Sequence, residues 1–256
     1  MMQRLKKVNV WLQEKHLQEG LYLQKHINIK DMNEIKDQII DLLATKSILK
    51  QDVFQNTKDW FALFKKELTE FVKLMKADVK DNRVRLKLVD KGASEAHLYV
   101  GSDVLVFHMH SNVFKFDKSN YAYQSSYLKN NPQNAFCGVI NIYNFLADSF
   151  ERNRPHDHGY LIARTFINSE SHFIIEGKGQ LSFLYRDFLN QVINKEIILD
   201  IIMRVIVHAI NFDLLALPYE RVNVVSVQEM QALSTDSKLK TGKRLGFKFQ
   251  SDNKIS

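Results

Sequence analysis

EIILDIIMRVIVHAINFDLL, residues 196–215, decides how the whole chain is read. Wound as a helix, its apolar residues from Ile197 to Leu215 point in nearly every direction. Glu196, Asp200, Arg204 and His208 are left as one narrow polar stripe with a spacing of four. A helix apolar on almost all sides is a buried helix. This one is too short and too charged to cross a bilayer, which takes about 20 apolar residues. Other elements must cover it on several sides, and the β-like segments that precede it are the candidates.

The chain has 256 residues, 45% hydrophobic and 25% charged, which is an ordinary globular composition with enough length to bury a core without staples. Its single cysteine, Cys137, excludes an intrachain disulfide and reads as a small core residue, pointing to a reducing, cytoplasmic setting. The start MMQRLKKVNVW carries no apolar run of signal-peptide length. The net charge of +7 sits at the two ends: +4 over residues 1–80, +1 over 81–180, −2 over 181–235 and +4 over 236–256. Basic ends are a solvated surface, or else a face for nucleic acid or an acidic partner.

Gln3–Glu19 reads as a helix stopped near Gly20. Asp31 with Glu34 resembles a capping box, and Met32, Ile35, Ile39, Leu42 and Leu43 form one face of a second helix. Residues 53–78 make a third, with Trp60, Phe61, Phe64, Leu68, Phe71, Val72 and Met75 as its stripe. Residues 1–80 are thus a helical region expected to pack on the core.

From Arg83 the period changes to two. Strands are expected over residues 83–89, 95–100, 104–110, 113–116 and 121–128, joined by tight turns such as Lys91-Gly92 and Gly101-Ser102. In residues 138–152, Asn141, Asn144, Asp148 and Glu151 recur at helical spacing, and a helix is expected. Residues 160–168 and 172–178 read as a hairpin. A long helix is expected from Leu181 to about Leu215, interrupted at most at Asn194-Lys195, then a strand at 222–227 and a short helix at 228–233. Residues 234–256 read as a basic, loosely ordered tail with a small strand at 245–249. Truncation after Leu233 is expected to leave the fold intact.

Helices, then strands, then helices give an α+β protein. A core domain over 81–233 has an antiparallel meander and a C-terminal hairpin packed on the buried C-terminal helix. The arrangement resembles the PAS/GAF type of sensory domain, which also lays helices on an antiparallel sheet. That resemblance implies a ligand-sensing role and names no site residue.

Candidate chemistry is scattered. His108 and His110 share one strand face and could hold a metal, but Val113 and Phe114 stand where a completing glutamate is wanted. His156, Asp157 and His158 form a dense loop that would need His108, His110 or His172 to complete a metal site. Arg154, beside that loop, could contact an anion. Asp200, Arg204 and His208 could line a small-ligand cavity. Tyr121, Tyr123 and Tyr127 would share a strand face, as base-stacking residues do.

The hairpin register is decided by its loop. A three-residue loop, Ser169-Glu170-Ser171, sets Arg164 opposite Glu176, Phe166 opposite Ile174 and Ile167 opposite Phe173. It pairs like with like on both faces, each pair contributing about 0.2–1 kcal/mol. Arg164 and Glu176 then form a charged pair on one sheet face, and Leu161, Ala163, Thr165, Ile167, Phe173 and Ile175 face the core.

With no coherent catalytic set and no cofactor motif, the sequence favours a non-catalytic ligand-sensing or protein-interaction module. A metal-dependent hydrolase built on the histidines and a nucleic-acid-associated protein are the alternatives.

Overall fold

The computed structural model of the chain describes residues 29–213, 216, 218–221, 223–228 and 230. The expected helix at residues 3–19, the strand at 245–249, the tail with its truncation, and Leu214, Leu215 and Val222 lie outside them. Contacts divide the chain into two units, residues 1–48 and 49–256.

In the first unit, helix α1 spans Ile29–Leu42 and is followed by a π-helical turn, Leu43–Ser47. In that turn Thr45 Oγ1 donates to the Asp41 carbonyl at 2.7 Å.

The second unit is one antiparallel sheet with helices against it. Helix α2 (Ile48–Asp78) precedes strands β1 (Leu86–Asp90), β2 (Glu95–Val100), β3 (Asp103–Met109) and β4 (Phe114–Lys115). A capped connection leads to β5 (Phe136–Leu146), a short helix α4 (Ala147–Glu151), and the hairpin β6 (Tyr160–Ile167) and β7 (Phe173–Gly177). The connection holds helix α3 (Ser126–Asn130), and helices α5 (Leu181–Leu184) and α6 (Lys195–Ile210) follow the hairpin. The strand order is β1-β2-β3-β5-β6-β7, with β4 pairing the start of β5 in line with β3. The class is therefore α+β, with an antiparallel meander and hairpin.

One face of the sheet carries the main core. Ala96, Leu98, Leu105, Phe107, Ile140, Ile142, Ala163, Ile167, Phe173 and Ile175 pack there with Phe61, Phe64 and Leu68 of α2 and with Ile198, Ile201, Ile202 and Val205 of α6. The helix expected to run to about Leu215 ends at Ile210, with Asn211 as its C-cap, and it is buried as expected but on one side only. Met203, Val207 and Ile210 are 42%, 58% and 56% exposed, because a single sheet face covers the helix. It also starts later than expected. Asn194 caps it, its side chain accepting from the Ile197 amide at 2.8 Å, and residues 185–194 form an irregular segment before it. That segment covers the outer edge of β7, where the Ile175 amide donates to the Tyr185 carbonyl at 2.9 Å.

Three further expectations are corrected. Residues 136–146 are a strand, not a helix. β5 is central and buried on both faces, so Val139, Ile140 and Ile142 show no clean alternation, and Asn141 and Asn144 fall on opposite faces by parity. Residues 121–128 are not a strand. Asn120 caps a 3-10 turn through the Ala122 amide and Ser125 caps α3 through the Leu128 amide, at 3.0 and 3.4 Å. Tyr121, Tyr123 and Tyr127 therefore share no strand face. Asn223 to Ser226 are irregular, not strand.

The hairpin has the expected register, with Arg164 opposite Glu176, Phe166 opposite Ile174 and Ile167 opposite Phe173. Its loop closes through the Asn168 amide to the His172 carbonyl at 3.0 Å, with Ser171 at φ 65°. A bulge reverses the face assignments of Tyr160, Leu161 and Ile162. Ala163 pairs Ile142 and Leu161 pairs Tyr143, so Ile162 is extra. The alternation slips by one: Tyr160 and Ile162 join the core beside Ala163, and Leu161 moves to the outer face.

Asn168 ties this loop to the rest. Fully buried, its side chain donates to Tyr127 Oη at 2.8 Å and accepts from the Glu170 and His172 amides at 3.0 and 2.9 Å, while its carbonyl accepts from Asn56 Nδ2 at 2.7 Å. Asn168→Ala is expected to cost about 2–4 kcal/mol, since it leaves two part-buried amides and the Tyr127 hydroxyl without their partner. Urea unfolding measures this, and a loss within about 0.5 kcal/mol, the range of surface substitutions, would contradict the network's role.

Candidate ligand site

The strand registers align five polar residues across five strands. Glu95 lies opposite His108, His108 opposite Asn141, Asn141 opposite Arg164, and Arg164 opposite Glu176. All five point to the face away from α2 and α6, because their neighbours in sequence, Ala96, Phe107, Ile140, Ile142, Ala163 and Ile175, fill the main core. At about 4.8 Å per strand the row is about 19 Å long. On one side runs the row Val106, Tyr143, Leu161, and on the other Val139, Phe166, Ile174.

The second side is roofed. Phe116, Ala122, Leu128 and Phe188 pack on Val139, Phe166 and Ile174 as a smaller core, whose ring contacts include Phe116–Phe166 at 5.1 Å. Beside this roof a groove of about 360 Å³ opens over the row, lined by Asn141, Tyr143, Arg164, Glu176, His110 and Phe114 among others. That volume lies at the small end of ligand sites.

The ends of the row are internally paired. Arg164 Nε donates to Glu176 Oε2 at 3.1 Å, its Nη2 bonds the same oxygen, and the guanidinium lies 4.9 Å from the Phe166 ring centre. At the other end His97 Nε2 lies 2.7 Å from Glu95 Oε1. The middle differs. Asn141 is 8% exposed, and neither it nor His108 has a side-chain hydrogen bond among the described residues. The Asn141 amide opens on the floor of the groove, where it is left to solvent or a ligand.

The expected metal ligands do not converge. His108 and His110 are neighbours, their ring centres 6.4 Å apart, and His110 stacks edge-on with Phe114. His172 lies elsewhere: it stacks on Tyr127 at 4.4 Å, and its Nδ1 is 3.0 Å from the Phe188 carbonyl. In the loop before β6, His156 and His158 are exposed while Asp157 turns inward to accept from Ser149 Oγ at 2.7 Å. Among the described residues no three histidine, cysteine, aspartate or glutamate side chains could hold a metal ion together. Arg154 is buried beside Asp148 and Asp157, at 3.6 and 3.7 Å, and so anchors this loop.

Asp200, Arg204 and His208 are brought together. They line a separate cavity of about 470 Å³ between α6 and residues 178–181. Arg204 Nε donates to Asp200 at 2.6 Å, and the Tyr185 hydroxyl donates to the same carboxylate oxygen. Burial works to raise the Asp200 pKa, but the Arg204 and Tyr185 bonds outweigh it and hold it below the usual carboxylate range. Burial, and then the Lys178 charge, push His208 below its ordinary value.

Sequence reading missed Asn141 and Tyr143 as groove residues and Glu95 as the end of the row. Asn141 and Tyr143 were hidden by the helical reading of residues 138–152. Glu95 could have been found from the pairing of β2 with β3, since a Gly101-Ser102 turn fixes Glu95 opposite His108.

Among the described residues no helix is long and apolar enough to cross a membrane. No protein-family model, no curated protein and no solved structure matches this chain.

Proposed function

We propose that the chain is a non-catalytic ligand-sensing module whose groove takes a small planar heterocycle of nucleoside size. The Asn141 amide, which opens on the groove floor with no side-chain hydrogen bond among the described residues, carries this reading. An amide offers one donor edge and one acceptor edge, which complement the adjacent carbonyl and N–H of a heterocyclic base. Phe114, Tyr143 and Phe166 supply aromatic surface for its faces, and Arg164 and Glu176 supply polar contacts in the same row. A cytoplasmic setting belongs to the same reading, supported by the lone buried thiol of Cys137.

Calorimetry with guanosine, adenosine, uridine and cytidine tests the proposal. At least one nucleoside should bind, and Asn141→Leu should weaken it about tenfold or more, the equivalent of about 1.4 kcal/mol. The same substitution should change stability little, because the amide makes no hydrogen bond among the described residues. Binding unaffected by Asn141→Leu, or no binding by any of the four, would overturn the reading. A large loss of stability in Asn141→Leu would show that the amide serves the fold instead.

A further inference from the structure

Among the described residues nothing covers helix α1. Every residue from Met32 to Ile48 is exposed. The apolar side of α1 is nevertheless continuous. Met32, Ile35, Ile39 and Leu42 follow one another at steps of three, four and three and are 46–56% exposed, and Leu43 widens the line. The opposite side carries Glu34, Asp37 and Asp41. An exposed apolar stripe backed by a polar face marks an interaction surface.

The stripe itself selects the partner. Steps of three and four make the 3.5-residue repeat by which two like helices seat against each other. Ile39 at the first seam position followed by Leu42 at the second is the combination that favours two strands. The flanking charges set the direction. Lys36 borders the stripe on one side, and Asp31, five residues earlier, holds the bordering position on the other. In parallel helices this spacing sets Lys36 of each copy beside Asp31 of the other, twice by symmetry. An antiparallel pair would bring Lys36 against Lys36. The acidic back repels the other two occupants of such a helix, an anionic lipid surface and a nucleic acid.

We infer that α1 is a self-association surface, and that a second copy of this chain covers it. The two helices form a short parallel coiled coil with Met32, Ile35, Ile39 and Leu42 as its seam. Pairing removes the stripe of both copies from water and matches the flanking charges in the same step. A seam this short falls below the roughly 1,200 Å² of a stable complex, so the pair is concentration-dependent, with a dissociation constant of about 1–100 μM.

Sedimentation equilibrium of the full chain tests this. Between about 1 and 300 μM the mass should rise from one chain toward two. Ile39→Asp puts a charge into the seam and should weaken pairing about tenfold or more, while leaving the fold intact because the position is exposed. Lys36→Glu should weaken it about threefold to tenfold, and Asp31→Lys in the same chain should restore it. Ile35→Cys should oxidise to a covalent dimer by itself, since parallel helices bring one position of both copies together; the unaltered chain, whose Cys137 is buried, should not. A chain monomeric up to about 300 μM would overturn the inference, as would a dimer that Ile39→Asp and Lys36→Glu leave unchanged. Cross-linking only when Ile35→Cys is mixed with Ile39→Cys would show antiparallel helices and overturn the arrangement. Pairing that appears only once residues 1–28 are removed would assign the stripe to the chain's own N-terminal segment, and overturn it as well.

Discussion

Val205→Asp should leave the chain unfolded at room temperature. Val205 is fully buried, in one layer with Ile198, Ile201, Ile202 and Ala209, and that layer faces Phe107, Ile142 and Phe173 of the sheet. A carboxylate there would have no partner and no water, and the loss of the valine contacts adds to its cost. The expected penalty is about 4 kcal/mol or more, most or all of the stability of an ordinary domain. Val207→Asp, two residues along on the exposed line, should change stability by no more than about 0.5 kcal/mol. Circular dichroism with urea titration separates the two variants. Equal, mild effects would contradict the facing of α6; equal, severe effects would mean that the helix is covered on both sides.

Gly138→Val should be nearly as damaging, for a different reason. Gly138 lies in central strand β5 directly under α2, and a Cβ built there would stand 2.0 Å from Thr57 Oγ1 and 2.7 Å from Thr57 Cβ. Thr57 cannot swing aside. It is 1% exposed, and its hydroxyl donates to the Val53 carbonyl one turn back at 2.7 Å. Any side chain at position 138 therefore has to lift the helix from the sheet, which costs about 3 kcal/mol or more once the strain spreads into the core. The smaller Gly138→Ala should be partly rescued by Thr57→Gly, which removes every clashing atom at a helix-propensity cost of about 1 kcal/mol. Thr57→Ala should rescue less, because its Cβ still stands in the way. Thermal unfolding of the double variants measures this. Strict additivity would show that Gly138 is not the point of contact.

Much of this architecture is legible in the chain. The change from helical spacing to alternation near Arg83 locates the start of the sheet region, and like-with-like pairing selects the Arg164–Glu176 register among the alternatives. What stays hidden depends on burial from both sides. β5 lies between two cores, so its polarity pattern reports neither face, and Asn141 and Asn144 imitate a helix although one faces the groove and the other the main core. The bulge at Ile162 is equally silent, since Tyr160, Leu161 and Ile162 are all apolar enough for either face. The candidate site suffered most. Arg164 and Glu176 are visible as a pair, but the row that extends them to Asn141, His108 and Glu95 exists only once three further strand registers are fixed. The α6 stripe was the opposite case: Asp200, Arg204 and His208 share a face by spacing alone, and they line one cavity.

The row's role as a ligand site is tested most directly at its centre, on the side-chain amide resonances of Asn141 in the presence of the tightest-binding nucleoside. Both Asn141 Nδ2 protons and the Arg164 Nε proton should shift together along one saturating curve, while the His208 ring stays still. A nucleoside that saturates elsewhere with the Asn141 amide unmoved, or one that leaves every one of these resonances in place, would contradict the account.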